Sequence, residues 1–172
     1  MAFNYSGKKF LSFANYDDVM QRDQRIFESN EGLTEEVIDD LLALASQSIL
    51  DKLRSEEWWK SYQFERDPSL KGDIRRLPQV DPDHIKFRLQ AFKDVTVFLA
   101  LADYILPRVA DFSKDRSGAD TAEVVKIKFY RERWQDTYKD ILSSGDWYDF
   151  SGNGTIDINE KMPTRINLVR IR

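Results

Sequence analysis

TEEVIDDLLALASQSILDKL, residues 34–53, is the stretch on which the fold turns. Val37, Ile38, Leu41, Leu42, Ala45, Ile49 and Leu53 recur at intervals of three and four, which places them on one face of an α-helix. Thr34 stands where its hydroxyl can accept a bond from an orphan amide. Glu35 and Glu36 fall in the first turn, beside the positive end of the helix dipole. The spacing predicts a helix from Thr34 to Leu53 or a little beyond, with one buried side.

Downstream, the aromatic cluster Trp58, Trp59, Tyr62 and Phe64 precedes RDPSLKGDIRRLPQVDP, where prolines and a glycine interrupt regular structure. One of the two tryptophans is expected in the core, and the pair can alternatively mark an interface. A second helix is predicted from Asp81, with Pro82 at the first helical position, to Leu106, where Pro107 stops it. Its second half is apolar nearly all round, so it is expected at the centre of a bundle. Asp103 lies inside that apolar run and requires either a basic partner on another helix or a subunit boundary. A third helix is predicted after SKDRSGAD, with Asp120 as cap and Glu123 at capping-box spacing. Val124, Ile127, Trp134, Tyr138, Ile141 and Leu142 form its apolar stripe, and it ends near Gly145.

Residues 1–33 lack a sustained period and read as an arm or loop with at most a short helix near YDDVMQRDQRIFE. The expected fold is therefore all-α: a bundle of three main helices plus short ones, with extended N- and C-terminal arms. The chain divides into an N-terminal arm (1–33), the bundle (34–147), and a calcium-type loop with an extended tail (148–172).

Composition narrows the chemistry. The chain of 172 residues carries a net charge of −4, so it has no basic footprint for free nucleic acid, and it contains no cysteine. A reducing cytoplasm is the expected folding compartment, and no apolar run approaches the length of a membrane span. No P-loop, dinucleotide fingerprint or nucleophile elbow occurs, and no enzyme is expected. His84, the sole histidine, reads as a solvated residue in the first turn of the second helix.

The segment DFSGNGTIDINE, residues 149–160, carries the pattern of a calcium loop. Asp149, Ser151, Asn153, Asp157 and Glu160 place side-chain oxygens at positions 1, 3, 5, 9 and 12, and Thr155 offers its carbonyl at position 7. Gly154 at position 6 permits the sharp turn, and Ile156 at position 8 is the apolar anchor. The departure is Ser151, where the strict pattern has Asp or Asn; it leaves Asp149, Asp157 and Glu160 as carboxylates and implies moderate affinity. Calcium is preferred over magnesium, which keeps its waters. The alternative is a polar turn whose acids are simply solvated. Pro163 leaves little room for an exiting helix, and there is one loop only, so the loop reads as a structural clasp rather than a switch. It would aim the tail TRINLVRIR, a β-prone cationic segment without acids. That tail can add to a strand of a partner protein, pair with the N-terminal arm, or remain without structure.

The order of YDDVMQRDQRIFESNEGLTEEVIDDLLALASQSILDKLRSEEWW, KFYRERWQDTYKDIL and GDWYDFSGNGTIDINEKMPTRINLVRIR resembles the head-to-tail connector (adaptor, neck or head-completion) proteins of tailed bacteriophages, over most of the chain from about Tyr16. The resemblance implies a homo-oligomeric ring, expected to be dodecameric, under the portal at the capsid vertex. The ring would continue the DNA channel and meet a neck or tail protein on its other side. It further implies a virion neck location after assembly in the host cytoplasm, with DNA passing through and no membrane contact. By the same resemblance, Ile166, Asn167, Leu168, Val169, Arg170, Ile171 and Arg172 are the portal-contacting positions. The calcium-type loop is not a mark of that family and rests on its own residues. A calcium-dependent protein-binding module with a single EF-hand-like loop is the alternative function.

Overall fold

The computed structural model describes residues 3–5, 8–10, 12–28, 32–110, 121–158 and 160. They are predominantly helical. A short antiparallel hairpin, β1 (Phe3–Tyr5) with β2 (Lys8–Phe10), opens the chain, followed by α1 (Tyr16–Arg22) and α2 (Arg25–Glu28). Then come α3 (Glu35–Ser55) and α4 (Glu57–Arg66), three 3-10 turns, and α5 (Leu89–Leu99) with its continuation α6 (Leu106–Val109). Last is α7 (Ala122–Ser144).

The Thr34 reading holds at the level of atoms, since its Oγ1 accepts from the Val37 N–H at 3.4 Å. Ile38, Leu42, Ala45, Ile49 and Leu53 on α3 are all fully buried. Glu56 breaks the helix in extended conformation. Its carboxylate accepts the Tyr138 hydroxyl at 2.9 Å, which ties the break to α7. Burial, with the Glu56 carboxylate beside it, holds that hydroxyl well above its ordinary pKa. The aromatic residues from Trp58 to Phe64 lie on α4, a helix that the sequence reading did not assign.

The proline-rich connection after α4 is attached to the bundle by side chains. Arg54 donates to the Leu77 carbonyl at 2.6 and 3.0 Å and to the Arg75 carbonyl at 3.1 Å, and Trp59 Nε1–H donates to the Pro78 carbonyl at 3.0 Å. Buried backbone acceptors in irregular chain need such partners.

The second helix departs from expectation at both ends. Asp81 and Pro82 start a single 3-10 turn, Pro82–His84, and the chain then extends so that Ile85 bridges Tyr148 antiparallel. α5 begins only at Leu89, after Arg88 in left-handed conformation (φ 56°) with its guanidinium on Asp146. At the other end Pro107 does not stop the helix. Ala100–Ile105 is a π-helical turn, in which the Leu106 N–H donates to the Leu101 carbonyl. The wider turn resets the register, so Pro107 stands in the first turn of α6, where its missing N–H is not required.

α7 ends at Gly145 in left-handed conformation, as expected, but it starts at Ala122 after Thr121; Asp120 lies outside the described residues. α5 and its π-helical continuation lie against α3 and α7. Phe92, Val95, Leu101 and Ile105, all fully buried, form the centre, in agreement with an apolar run that needs neighbours on several sides. Asp103 points outward from it to Arg131 of α7 at 2.8 Å, the first of its two expected solutions.

The segment read as an arm contributes to this core through Val19 and Ile26. A capping box fixes the start of α1, with Asp18 N–H donating to Asn15 Oδ1 at 3.1 Å and Asn15 N–H to Asp18 Oδ2 at 3.0 Å. After α1, buried Asp23 accepts Lys126 at 2.7 Å and the Tyr130 hydroxyl at 3.3 Å. Burial and that carboxylate push Tyr130 up to about 12. Among the described residues, no helix is long and apolar enough to cross a membrane.

Candidate functional site

Gly145 turns the chain back from α7, and residues 147–149 run antiparallel to residues 84–86. Lys86 N–H donates to the Trp147 carbonyl at 3.3 Å, and Asp149 N–H donates to the His84 carbonyl at 2.9 Å. An aromatic cluster fastens the same segment. Trp147, fully buried, lies 5.1 Å from Trp58 and 5.3 Å from Phe92, ring centre to ring centre. Phe150 lies 3.8 Å from Tyr62, 4.8 Å from Tyr148 and 6.0 Å from Trp59 in stacked orientation. Such pairs contribute about 0.5–1.5 kcal/mol each beyond the area they bury. Trp58 and Trp59 both belong to this cluster, with Trp59 in the core and Trp58 half-buried.

From this anchorage the loop folds around its first acid. The Asp149 carboxylate is fully buried. Oδ2 accepts the Gly154 N–H at 2.6 Å, and Oδ1 accepts the Gly152 N–H at 2.7 Å and the Ser151 hydroxyl at 3.2 Å. Burial works to raise its pKa, and the Gly154 and Gly152 amides with the Ser151 hydroxyl outweigh burial, so the carboxyl sits below its ordinary value. Asn153 Oδ1 accepts both the amide and the hydroxyl of Thr155 at 2.8 Å. Asp157 N–H donates to Glu160 Oε2 at 3.1 Å, and Glu160 N–H donates back to the Asp157 carbonyl at 2.9 Å. Ile156 is half-buried, and Ile158 is 85% exposed.

The oxygen-donor positions Asp149, Ser151, Asn153, Thr155, Asp157 and Glu160 thus lie on one loop, and the donor set is the all-oxygen kind that a hard cation takes. The carboxylates are not drawn together: among the described residues, no three acidic, imidazole or thiol side chains stand close enough to hold a metal ion. Asp149 faces its own loop amides, while Asp157 is exposed. The tail positions Ile166–Arg172 lie outside the described residues.

His84 corrects the sequence reading. It is half-buried rather than solvated, and its Nδ1 is 2.6 Å from the Asp149 carbonyl oxygen. Its ring lies 5.7 Å from that of Tyr148 at 30°. The apolar–charged alternation of Ile85, Lys86, Phe87 and Arg88 is a strand signal that would have found this pairing. Comparison with family models, with curated proteins and with solved structures finds no match to this chain.

Proposed function

We propose that this chain is a structural virion protein, the connector (adaptor) ring subunit that joins the portal of a phage capsid to the neck or tail and continues the DNA channel. The observation that carries the proposal is the anchorage of residues 147–150. The β-bridge of Ile85 with Tyr148 and the packing of Phe150 on α4 tie the start of the loop to the helical body. A cationic, partly apolar tail sequence that follows such an anchored loop suits docking onto a partner, because the anchored segment adds no ordering cost on binding. The order of helices and arms along the sequence supports the same reading.

In this proposal Ile166–Arg172 dock on the portal, and copies of the chain form a ring, a dodecamer by resemblance, in the virion neck. The protein acts by assembly rather than by catalysis. A calcium ion held by Asp149, Ser151, Asn153, the Thr155 carbonyl, Asp157 and Glu160 would supply a hard positive centre that joins the two halves of the loop and aims the arm.

The test mixes the protein with the portal encoded in the same genome, with and without calcium, followed by sedimentation and negative-stain imaging. A ring added to the portal is the expected result, lost on deletion of residues 164–172. Absence of any joint particle under both conditions would overturn the proposal.

The second reading is a calcium-dependent protein-binding module, and it rests on the all-oxygen donor pattern of residues 149–160. It requires that Asp149→Ala with Glu160→Ala abolish partner binding while the bundle stays folded.

A further inference from the structure

We infer that His84 is the positioning residue of the loop: its ring holds the first turn in the shape that keeps the Gly152 and Gly154 amides on the Asp149 carboxylate. The inference deepens the reading of residues 149–160 as a ligand loop and rests on that reading for its calcium consequence alone.

Two kinds of tie join His84 to the loop, and they act on different atoms. The backbone tie, Asp149 N–H to the His84 carbonyl, belongs to the short antiparallel pairing and does not depend on the side chain. The ring tie does. A carbonyl oxygen can only accept, so Nδ1 carries the proton toward Asp149, and in the neutral ring Nε2 is the lone-pair nitrogen.

The ring also meets the loop further on. Gly152 has φ +71°, and a Cβ there would lie 3.3 Å from His84 Cε1 and 3.8 Å from Nε2. One rigid plane therefore bonds the chain at Asp149 and fills the space beside Gly152, and the turn between these residues presents the Gly152 amide to the carboxylate at 2.7 Å. The Tyr148 ring lies beside it, 5.7 Å away between ring centres and tilted by 30°. With the ring removed, the first turn keeps its backbone pairing and loses both contacts that set its curvature. A loop that is ordered only part of the time binds more weakly in proportion to that fraction. Partners that orient a ligating carboxylate typically alter metal affinity by roughly 10–100-fold.

The test uses the full chain in EGTA, so that its first readouts need no cation. Long-range nitrogen–proton spectra of His84 identify the tautomer, and amide hydrogen exchange at Gly152 and Gly154 is compared with that of Leu42 in the core. The wild-type ring is expected as the Nδ1–H tautomer. In His84→Ala, exchange at both glycines should rise roughly tenfold or more while Leu42 stays protected. His84→Asn, whose amide can donate from the Nδ1 position, should recover part of the protection. An Nε2–H tautomer in the wild type, or unchanged glycine exchange in a folded His84→Ala protein, would overturn the inference. Calorimetry then separates it from the calcium reading. If the wild type takes up calcium, His84→Ala should weaken binding roughly tenfold or more. If the wild type takes up none, the calcium reading fails while the exchange data still decide the role of His84.

Discussion

Alanine at the two loop glycines should separate backbone strain from the histidine contact. Gly152 and Gly154 both have positive φ, +71° and +84°, and both amides donate to Asp149, but their surroundings differ. A Cβ at Gly154 meets nothing within 4 Å, whereas one at Gly152 presses on the His84 ring at 3.3 Å. Holding an L-residue left-handed costs about 1–2 kcal/mol, and the stiffer unfolded chain offsets about 0.4–1 kcal/mol of that. Gly154→Ala should therefore cost about 0.5–1 kcal/mol. Gly152→Ala carries the same cost, and displacing the ring also threatens its bond to Asp149, worth about 0.5–1.5 kcal/mol net. The expected difference between the two variants is about 1 kcal/mol. Urea unfolding of both variants, in wild-type and His84→Ala backgrounds, measures it as a double-mutant cycle. The difference should vanish without the ring. Equal costs in the wild-type background, or a difference that persists in His84→Ala, would refute the reasoning.

Two further outcomes follow from the packing and the electrostatics. Phe92 is fully buried with Phe13 at 5.2 Å and Trp147 at 5.3 Å, so Phe92→Ala should destabilise the protein by about 3–5 kcal/mol in urea or thermal unfolding. For Asp149 the folded-state pKa is lowered, so the unfolded chain takes up its proton first as pH falls. Its contribution is fully present above the ordinary value of 3.8 and is lost as pH drops through the lower folded value. The stability gap between wild type and Asp149→Asn should be constant near neutrality and close in strong acid, as read by unfolding midpoints across a pH series; a gap that widens on acidification would contradict this.

Much of the fold was legible because it is decided locally. The α3 stripe and its Thr34 cap depend on residues within a few turns of one another, and Gly145 ends α7 for a reason carried by one residue. The helix predicted from Asp81 failed because its signals are equally local: Asp81 and Pro82 do start a turn, but Ile85 is claimed by Tyr148 from the far end of the chain. Pro107 reads as a stop by propensity alone, and the π-helical turn ahead of it, packed on α3 and α7, removes the conflict. The hairpin near the start escaped notice because each strand is three residues long, too short for a period to register.

The candidate loop divides in the same way. By itself the sequence determined which residues carry oxygen donors, where the glycine needed for the turn stands, and that the chain entering the loop is helical, since these follow from residue type and spacing. Tertiary structure alone decided that His84 rests on Gly152 and that Phe150 packs on Tyr62. The enclosure of the Asp149 carboxylate is local, since its Ser151, Gly152 and Gly154 partners follow within five residues, whereas the His84 and Tyr62 contacts join distant segments. The reason is physical. Propensity and periodicity act over a few residues, whereas these contacts join segments that meet only after α5 and α7 have packed and the chain has turned back at Gly145.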